Sequence, residues 1–329
     1  MVFPGQASQY VGMGSDVAGR WQAASLIYDI AESASGIPVK RLCFEGPPEE
    51  VVLTSNLQVC VVATSLAVLA AAMQEAGYVV DEIMDLSEVA NPPSHLAGHS
   101  VGEYAALAAA GAIDLVDTFN LVSVRGRSMH EAGMLRPGTM LALLGGSEQE
   151  ARVLCEHVRS SVDASYIDVA NINSNDQTVL AGDFESIIKA SELAVEFGFR
   201  RAVNLPVSGA FHSTAMLPAS TVLKDSLLAV QIKDPLISVY GNIDALPLVG
   251  SEAIRKELFG QVSSPVRWAE SVANLIDNGV EMFCEIGPGQ VLSRLTKRID
   301  SSVKGESFGD IEGVISLASL LKGNFSNAF

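Results

Sequence analysis

Basic residues are scarce in this chain: 21 Lys and Arg stand against 38 Asp and Glu, a formal net charge of −17 over 329 residues. That balance excludes a broad phosphate-backbone interface, which rests on clustered cations, and with it a nucleic-acid partner. A small anionic ligand is not excluded, because one buried arginine can hold a carboxylate whatever the remote surface carries. Cysteine is scarce as well. Cys43, Cys60, Cys155 and Cys284 lie far apart with no Cys-x-x-Cys pair. Neither a metal site nor a disulfide framework is signalled, and reduced, mostly buried thiols are expected. Charged residues make up 18% against 48% hydrophobic, which leaves room for disorder only near Ser301 to Gly309 and at the extreme C-terminus. The opening "MVFPGQASQY" lacks the basic flank and apolar core of a signal peptide. The most apolar run, Val59 to Met73, is broken by Thr64 and Ser65 and is shorter than a bilayer span. A cytoplasmic chain with no membrane association is expected, long enough for one large domain or two.

What is present is an ordered alternation of helix and strand patterns. Apolar periodicity predicts a strand at Met1 to Phe3 and helices over Asp16 to Ser33 and Leu57 to Ala76. "HLAGHS" reads as a short buried strand feeding a turn, "VGEYAALAAAG" as a helix stopped by Gly111, and Asp114 as the cap of a helix running toward Gly133. Between Arg136 and Pro206 the pattern changes. Strand "TMLALLG", helix Glu148 to Ser161, strands "YIDVAN" and "QTVLAG", helix Phe184 to Phe197 and strand "RRAVNL" follow in the β-α-β-β-α-β order of a ferredoxin-like unit. Helices at Ser213 to Ala229, Glu252 to Gln261 and Val266 to Asn278, strand "EMFCEIG" and the turn-helix "GPGQVLSRLTKRI" complete the α/β body.

Gly98-His99-Ser100-Val101-Gly102 matches the nucleophile elbow, in which small residues flank a serine because a strained strand-to-helix turn brings backbone segments together. The geometry would aim the Ser100 and Val101 amides at an oxyanion. Chance recurrence among 28 glycines, with Ser100 an ordinary helix cap, is the competing reading. A nucleophile needs a base, and there are five histidines. His99 should point to the opposite side of the turn and brace it. His157 belongs to a polar helical run and His130 to an exposed-looking helix end. His212, in "LPVSGAFHSTAM", stands where a short strand breaks and a helix begins, a loop-end position where catalytic groups collect. On this ground alone a structural histidine remains open there.

Seven segments, "FPGQASQYVGMG", "GHSVGEYAAL", "RGRSM" at Arg125 to Met129, "ANINSNDQTVLAG", "VSGAFHSTAM", "QVSSPVRW" and "EIGPGQVLSRL", resemble in order and spacing the malonyl-coenzyme A:acyl carrier protein transacylase family, from residue 1 to about residue 300. The resemblance implies an α/β fold with a hydrolase-like core and short parallel sheet over 1–135 and 207–329, interrupted by a ferredoxin-like subdomain over 136–206. It implies a ping-pong transfer for fatty acid biosynthesis: Ser100 takes the malonyl group from coenzyme A as an ester and passes it to the phosphopantetheine thiol of acyl carrier protein. His212 would serve as base and then acid, with the main-chain carbonyl of Gln261 orienting it. Gln6 and Val101 would supply oxyanion-hole amides. No cofactor or metal is implied beyond the coenzyme A thioester and the partner's phosphopantetheine, and a monomer is expected.

By the same resemblance Arg125 grips the malonyl carboxylate with two parallel hydrogen bonds, while Arg127 projects to the surface. Met129, one turn on, would pack beside the malonyl methylene. Phe211 would crowd an α-methyl branch; discrimination by one methyl is worth about 1–3 kcal/mol, so some leakage to methylmalonyl is expected. Asn171 and Asn173 would line the cleft, with turn chemistry as their alternative. Two positions depart from the family. Ala7 stands where glycine is usual, which would stiffen the oxyanion loop, and Gln290 where a cation is frequent. Docking of an acidic carrier would then fall to Arg200, Arg201, Lys297 and Arg298. Three other classes compete: a serine thioesterase or esterase using the same elbow and base, a malonyltransferase of a polyketide pathway, and a carrier-binding scaffold without chemistry. The joint presence of Ser100, His212, Arg125 and Gln6 speaks against the scaffold. A phosphate-binding loop at "GPGQVLSRLTKR" is disfavoured because the Lys-Ser/Thr ending is missing.

Overall fold

Strand pairing sorts the strands into two sheets. The computed structural model describes residues 1–80, 84–162 and 166–323. Its strands are β1 (Val2–Phe3), β2 (His95–Gly98), β3 (Thr139–Leu144), β4 (Ile167–Ser174), β5 (Gln177–Gly182), β6 (Arg201–Asn204), β7 (Ser238–Tyr240), β8 (Met282–Ile286) and β9 (Lys304–Phe308). One sheet runs β7-β2-β1-β8-β9 with every pairing parallel. The other runs β4-β5-β3-β6 with every pairing antiparallel. Parallel strands lie between helical layers, and β1 and the end of β2 are correspondingly apolar and buried.

Strands β3 and β5 of the antiparallel sheet divide their side chains with period two, while β4 slips register between Val169 and Asn171 and between Ile172 and Ser174. Leu141, Leu143 and Leu180 join a small core with Leu154 and Val158 of helix Glu148–Ser161 and Ile187 of helix Phe184–Leu193. Met140, Ala142, Val179 and Ala181, the alternate residues, join the main core instead. One face is thus closed by its own helices and the other turned toward the larger body. An isolated bridge between Asn171 and Val266 fastens β4 to that body.

Helix Thr54–Ala76 is long and apolar enough to cross a bilayer, but 94% of its apolar window is buried against other parts of the chain. Neighbours in the same core include Ile27 of helix Gln22–Ser35 and Leu121 of helix Leu115–Leu135. Asp114 caps the latter, accepting from Asp117 N–H at 2.7 Å.

Four expectations need correction. The helix expected over 16–33 is two, Ser15–Arg20 and Gln22–Ser35, parted by extended backbone at Trp21. The Trp21 indole is buried and donates to Glu75 at 2.9 Å, a packing demand that periodicity does not register. The stretch Ser301 to Gly309 is ordered: it contains β9, paired with β8, where Gly305 allows close approach to Ser293. The helix expected from Ser213 opens with a tight turn at Thr214–Met216 and becomes α-helical at Leu217–Ala229. The helix expected from Val266 starts at Trp268, because Val266 is spent on the bridge to β4. The extreme C-terminus, beyond residue 323, lies outside the described residues.

Candidate active site

β1 and β2 lie side by side and parallel, so the loops that follow them emerge at one edge of the sheet. The turn after β2 is as tight as the glycine pattern requires. A Cβ on Gly98 would lie 2.0 Å from the Gly102 carbonyl carbon, and one on Gly102 would lie 2.2 Å from the Phe3 carbonyl oxygen. Ser100 itself sits at φ 52°, a left-handed conformation that costs a non-glycine residue about 1–3 kcal/mol and persists only if its surroundings hold it. Asn242, just past β7, supplies part of that hold. Its Oδ1 accepts Ser100 N–H at 2.7 Å, and its Nδ2 donates to the Gly98 carbonyl at 2.7 Å.

The serine meets its base across 112 residues of sequence. Ser100 Oγ lies 2.7 Å from His212 Nε2, and His212 Nδ1 lies 2.9 Å from the Gln261 carbonyl oxygen. A carbonyl only accepts, so Nδ1 carries the proton and Nε2 presents its lone pair to the hydroxyl. His212 also has left-handed backbone, φ 57°, and is buried. Burial, followed by the Arg125 charge, pushes its pKa down to about 3. The imidazole is therefore neutral at working pH and able to take a proton.

Arg125 projects from the middle of helix Leu115–Leu135 and is 1% exposed. Its Nη1 donates to Gln58 Oε1 at 2.6 Å, and its Nη2 to Gln261 Oε1 at 2.9 Å and to Ser100 Oγ at 3.1 Å. Nε is buried without a partner. Among the described residues no carboxylate lies within ion-pair distance of the guanidinium. A buried cation with neutral partners and an orphan donor is costly, and an incoming anion offsets that cost.

These groups open onto a cleft of about 480 Å³ lined by the loops that follow β1 and β2 and by residues of β3, β4 and β5. Gln6 and Val101 line it, and the backbone N–H of each lacks an acceptor among the described residues. Met129 and Phe211 line it too, both buried. Met129 Sδ receives the Gln58 amide at 3.4 Å. Asn171 and Asn173 face the cleft from β4. His99 reaches across to Asn173, Nε2 to Oδ1 at 3.0 Å, so it ties the turn to the antiparallel sheet rather than addressing the serine. Ala7 adopts φ 81°, so the alanine is held where glycine would sit without strain.

Other candidates fall away from the cleft. Arg127 is exposed, as is His157; His130 is half-buried and inside helix Leu115–Leu135, not at its end. Arg200, Arg201, Lys297 and Arg298 are exposed and none lines the cleft. Arg200 pairs with Asp176 at 3.4 Å. Gln290 begins helix Val291–Ile299 and shares a surface depression with Arg294 and Lys297. Sequence reasoning missed Gln58, Asn242, Glu103 and Glu257. A signal existed for Gln58, a lone amide inside an apolar helical run; Asn242 follows a three-residue strand and gave none.

Comparison with known proteins agrees with this geometry. The acyl transferase domain family matches residues 1–312. A malonyl CoA-acyl carrier protein transacylase of Bacillus subtilis is 38% identical over 99% of this chain and 98% of its own length. The solved acyl-carrier-protein S-malonyltransferase of Burkholderia pseudomallei superposes with a TM-score of 0.86 at 38% identity, covering 97% of this chain and 98% of that one. A malonyl-transacylase solved in complex with its type II polyketide acyl-carrier protein superposes with a TM-score of 0.87 at 34% identity, covering 98% and 99%. A strained serine backed by a neutral imidazole and a buried guanidinium with no carboxylate partner among the described residues thus stands on a fold shared along nearly its whole length with these proteins, and the chain belongs to the acyl transferase domain family and, within it, to the malonyl CoA-acyl carrier protein transacylases.

Proposed function

We propose that the chain moves a malonyl group from malonyl-CoA to the phosphopantetheine thiol of acyl carrier protein through an ester on Ser100. The observation that carries the reading is Arg125: a buried guanidinium without a carboxylate partner among the described residues, 3.1 Å from the serine oxygen, selects an acyl group that brings its own negative charge. In the first half-reaction His212 Nε2 takes the Ser100 proton as Oγ attacks the thioester carbonyl. The oxyanion forms against the Gln6 and Val101 amides, the C–S bond breaks, and the imidazolium returns the proton to the departing thiolate. The second half-reaction is the reverse, with the carrier thiol as nucleophile. The Gln261 carbonyl suffices as orienting group because a thiolate leaves more readily than an amine. Pairing of the malonyl carboxylate with Arg125 offsets a charge that lowers the pKa of His212, so the correct substrate makes its own base stronger.

Phe211 crowds an α-methyl branch, Met129 packs beside the malonyl methylene, and Asn171 and Asn173 belong to the wall contributed by residues 136–206. The β-α-β-β-α-β order and the sheet order β4-β5-β3-β6 support reading that segment as a ferredoxin-like insertion in a hydrolase-like core of 1–135 and 207–329. Arg200, Arg201, Lys297 and Arg298 are the cations proposed to meet an acidic carrier, and a cytoplasmic monomer is the proposed working form. Intact-mass measurement after mixing with malonyl-, acetyl- and methylmalonyl-CoA tests the reading. A malonyl adduct on Ser100 that persists in buffer and discharges onto added carrier protein is expected. An adduct lost to water as fast as to carrier would make the chain a thioesterase.

A further inference from the structure

Beneath the serine lie two carboxyl groups for which the mechanism has no use. Glu103, on helix Gly102–Ala109, is fully buried, and Glu257, on helix Ser251–Gln261, is 6% exposed. They converge on a single donor. Asn242 N–H points to Glu103 Oε2 at 3.1 Å and to Glu257 Oε1 at 2.7 Å. Glu257 Oε1 also accepts Ile243 N–H at 2.9 Å, and Gly241 gives its carboxyl room, since a Cβ there would lie 3.0 Å from Glu257 Cδ. Glu103 Oε2 also accepts from Gln261 Nε2 at 3.0 Å, while Glu103 Oε1 is buried with no donor among the described residues.

Two carboxylates focused on one N–H cannot both carry a charge in a dry interior at tolerable cost. A proton on one of them turns the repulsion into a hydrogen bond. We propose that Glu103 and Glu257 share one proton and act as a pair of positioning residues that hold the serine turn, the imidazole and the guanidinium in mutual register. Burial, and then the neighbouring carboxyl, hold the Glu103 pKa well above the ordinary range; burial raises that of Glu257. The other titratable or charged groups facing the pair are Arg125, the Tyr104 phenol and Asp244.

The register follows from the bonds one step out. Asn242, pinned by the pair through its N–H, holds Ser100 N–H and the Gly98 carbonyl. Gln261, pinned by Glu103 through Nε2, donates to the Ser100 carbonyl at 2.9 Å, accepts Arg125 through Oε1 and orients His212 through its carbonyl. Glu103 is thus one bond removed from each of the groups that must face the substrate. Loss of the shared proton places two charges against one N–H and loosens both amides together. In linkage terms the folded pKa values are raised, so the native state binds the extra proton above the unfolded carboxyl pKa. The associated stability is lost as pH rises through the folded value.

Two readouts test this, and the first needs no substrate, so it stands apart from the malonyl reading. Glutamate-labelled infrared spectroscopy of the ligand-free enzyme at neutral pH should show a protonated carboxyl band that disappears in Glu103→Gln and in Glu257→Gln alike. Absence of the band in wild type, or its survival in both variants, overturns the proposal. The second readout is single-turnover acylation of Ser100 against pH. Glu103→Ala, which leaves one Gln261 Nε2 hydrogen without its acceptor and Asn242 N–H with Glu257 alone, should lose at least about tenfold in rate. Glu103→Gln, the isostere of the protonated state, should recover most of that loss and lack the alkaline decline of wild type. A Gln variant as impaired as the Ala variant, or one with the wild-type alkaline limb, contradicts the proposal. If Glu103→Ala does not fold, the two isosteric Gln variants carry both readouts.

Discussion

The antiparallel sheet and the edge of the parallel sheet face each other across the cleft, yet they are built by opposite means. Residues 136–206 mostly obey local rules: alternation sends the apolar side chains of β3 and β5 to one core or the other, and helix Glu148–Ser161 begins with a Ser147–Glu150 capping box. Among its described residues no non-glycine has left-handed backbone. The opposite wall breaks those rules. Ala7, Ser100 and His212 line the cleft with positive φ, and Gln58, Glu103, Arg125, Asn242 and Gln261 are polar side chains buried where apolar ones would pack. Left-handed non-glycine backbone and buried ionisable side chains gather on the wall that does the chemistry, while the more regular wall supplies shape.

Substitutions can break or sharpen that contrast. On the strained wall, Ser100→Ala should abolish the acyl adduct seen by intact mass, a loss of at least about a thousandfold in single-turnover rate. Asn242→Ala removes the acceptor of Ser100 N–H and the donor to Gly98, and should slow acylation by about tenfold to a hundredfold with little change in fold by circular dichroism. A third test uses acid. His212 has its pKa pushed down to about 3 from 6.5, so between those values the unfolded chain binds the proton that the native site refuses. Stability from this group is complete above the unfolded value and is lost as pH falls toward 3. His212→Gln should therefore flatten the fall in denaturation midpoint between neutral pH and pH 4. The smallest effect belongs to the regular wall: Ser147→Ala should cost about 1 kcal/mol in urea unfolding and leave acylation unchanged. A comparable rate loss from that cap would erase the distinction between the two walls.

What the sequence disclosed follows the same division. Helix Glu148–Ser161 was legible end to end because its cap and apolar stripe are local signals. β9, "KGESF", was not, because an edge strand needs no continuous apolar run and its Glu306 and Lys304 can remain in water. The Gly98-x-Ser100-x-Gly102 pattern exposed the turn, since close backbone approach leaves a glycine signature. His212 was legible as a loop-end histidine and became the base only through family resemblance, as did the Gln261 carbonyl. Asn242, Glu103 and Glu257 stayed hidden. Asn242 meets Glu103 139 residues away, and no local pattern in a helix marks a carboxyl as proton-sharing.

The central claim is that Arg125 selects by charge, and the ratio of Ser100 acylation rates with malonyl-CoA and acetyl-CoA, measured by rapid-quench intact mass in wild type and Arg125→Ala, addresses it most directly. The account predicts a strong malonyl preference in wild type and its collapse in the variant, by about a hundredfold, with acetyl transfer retained or improved. Equal loss on both thioesters, leaving the ratio untouched, would contradict it.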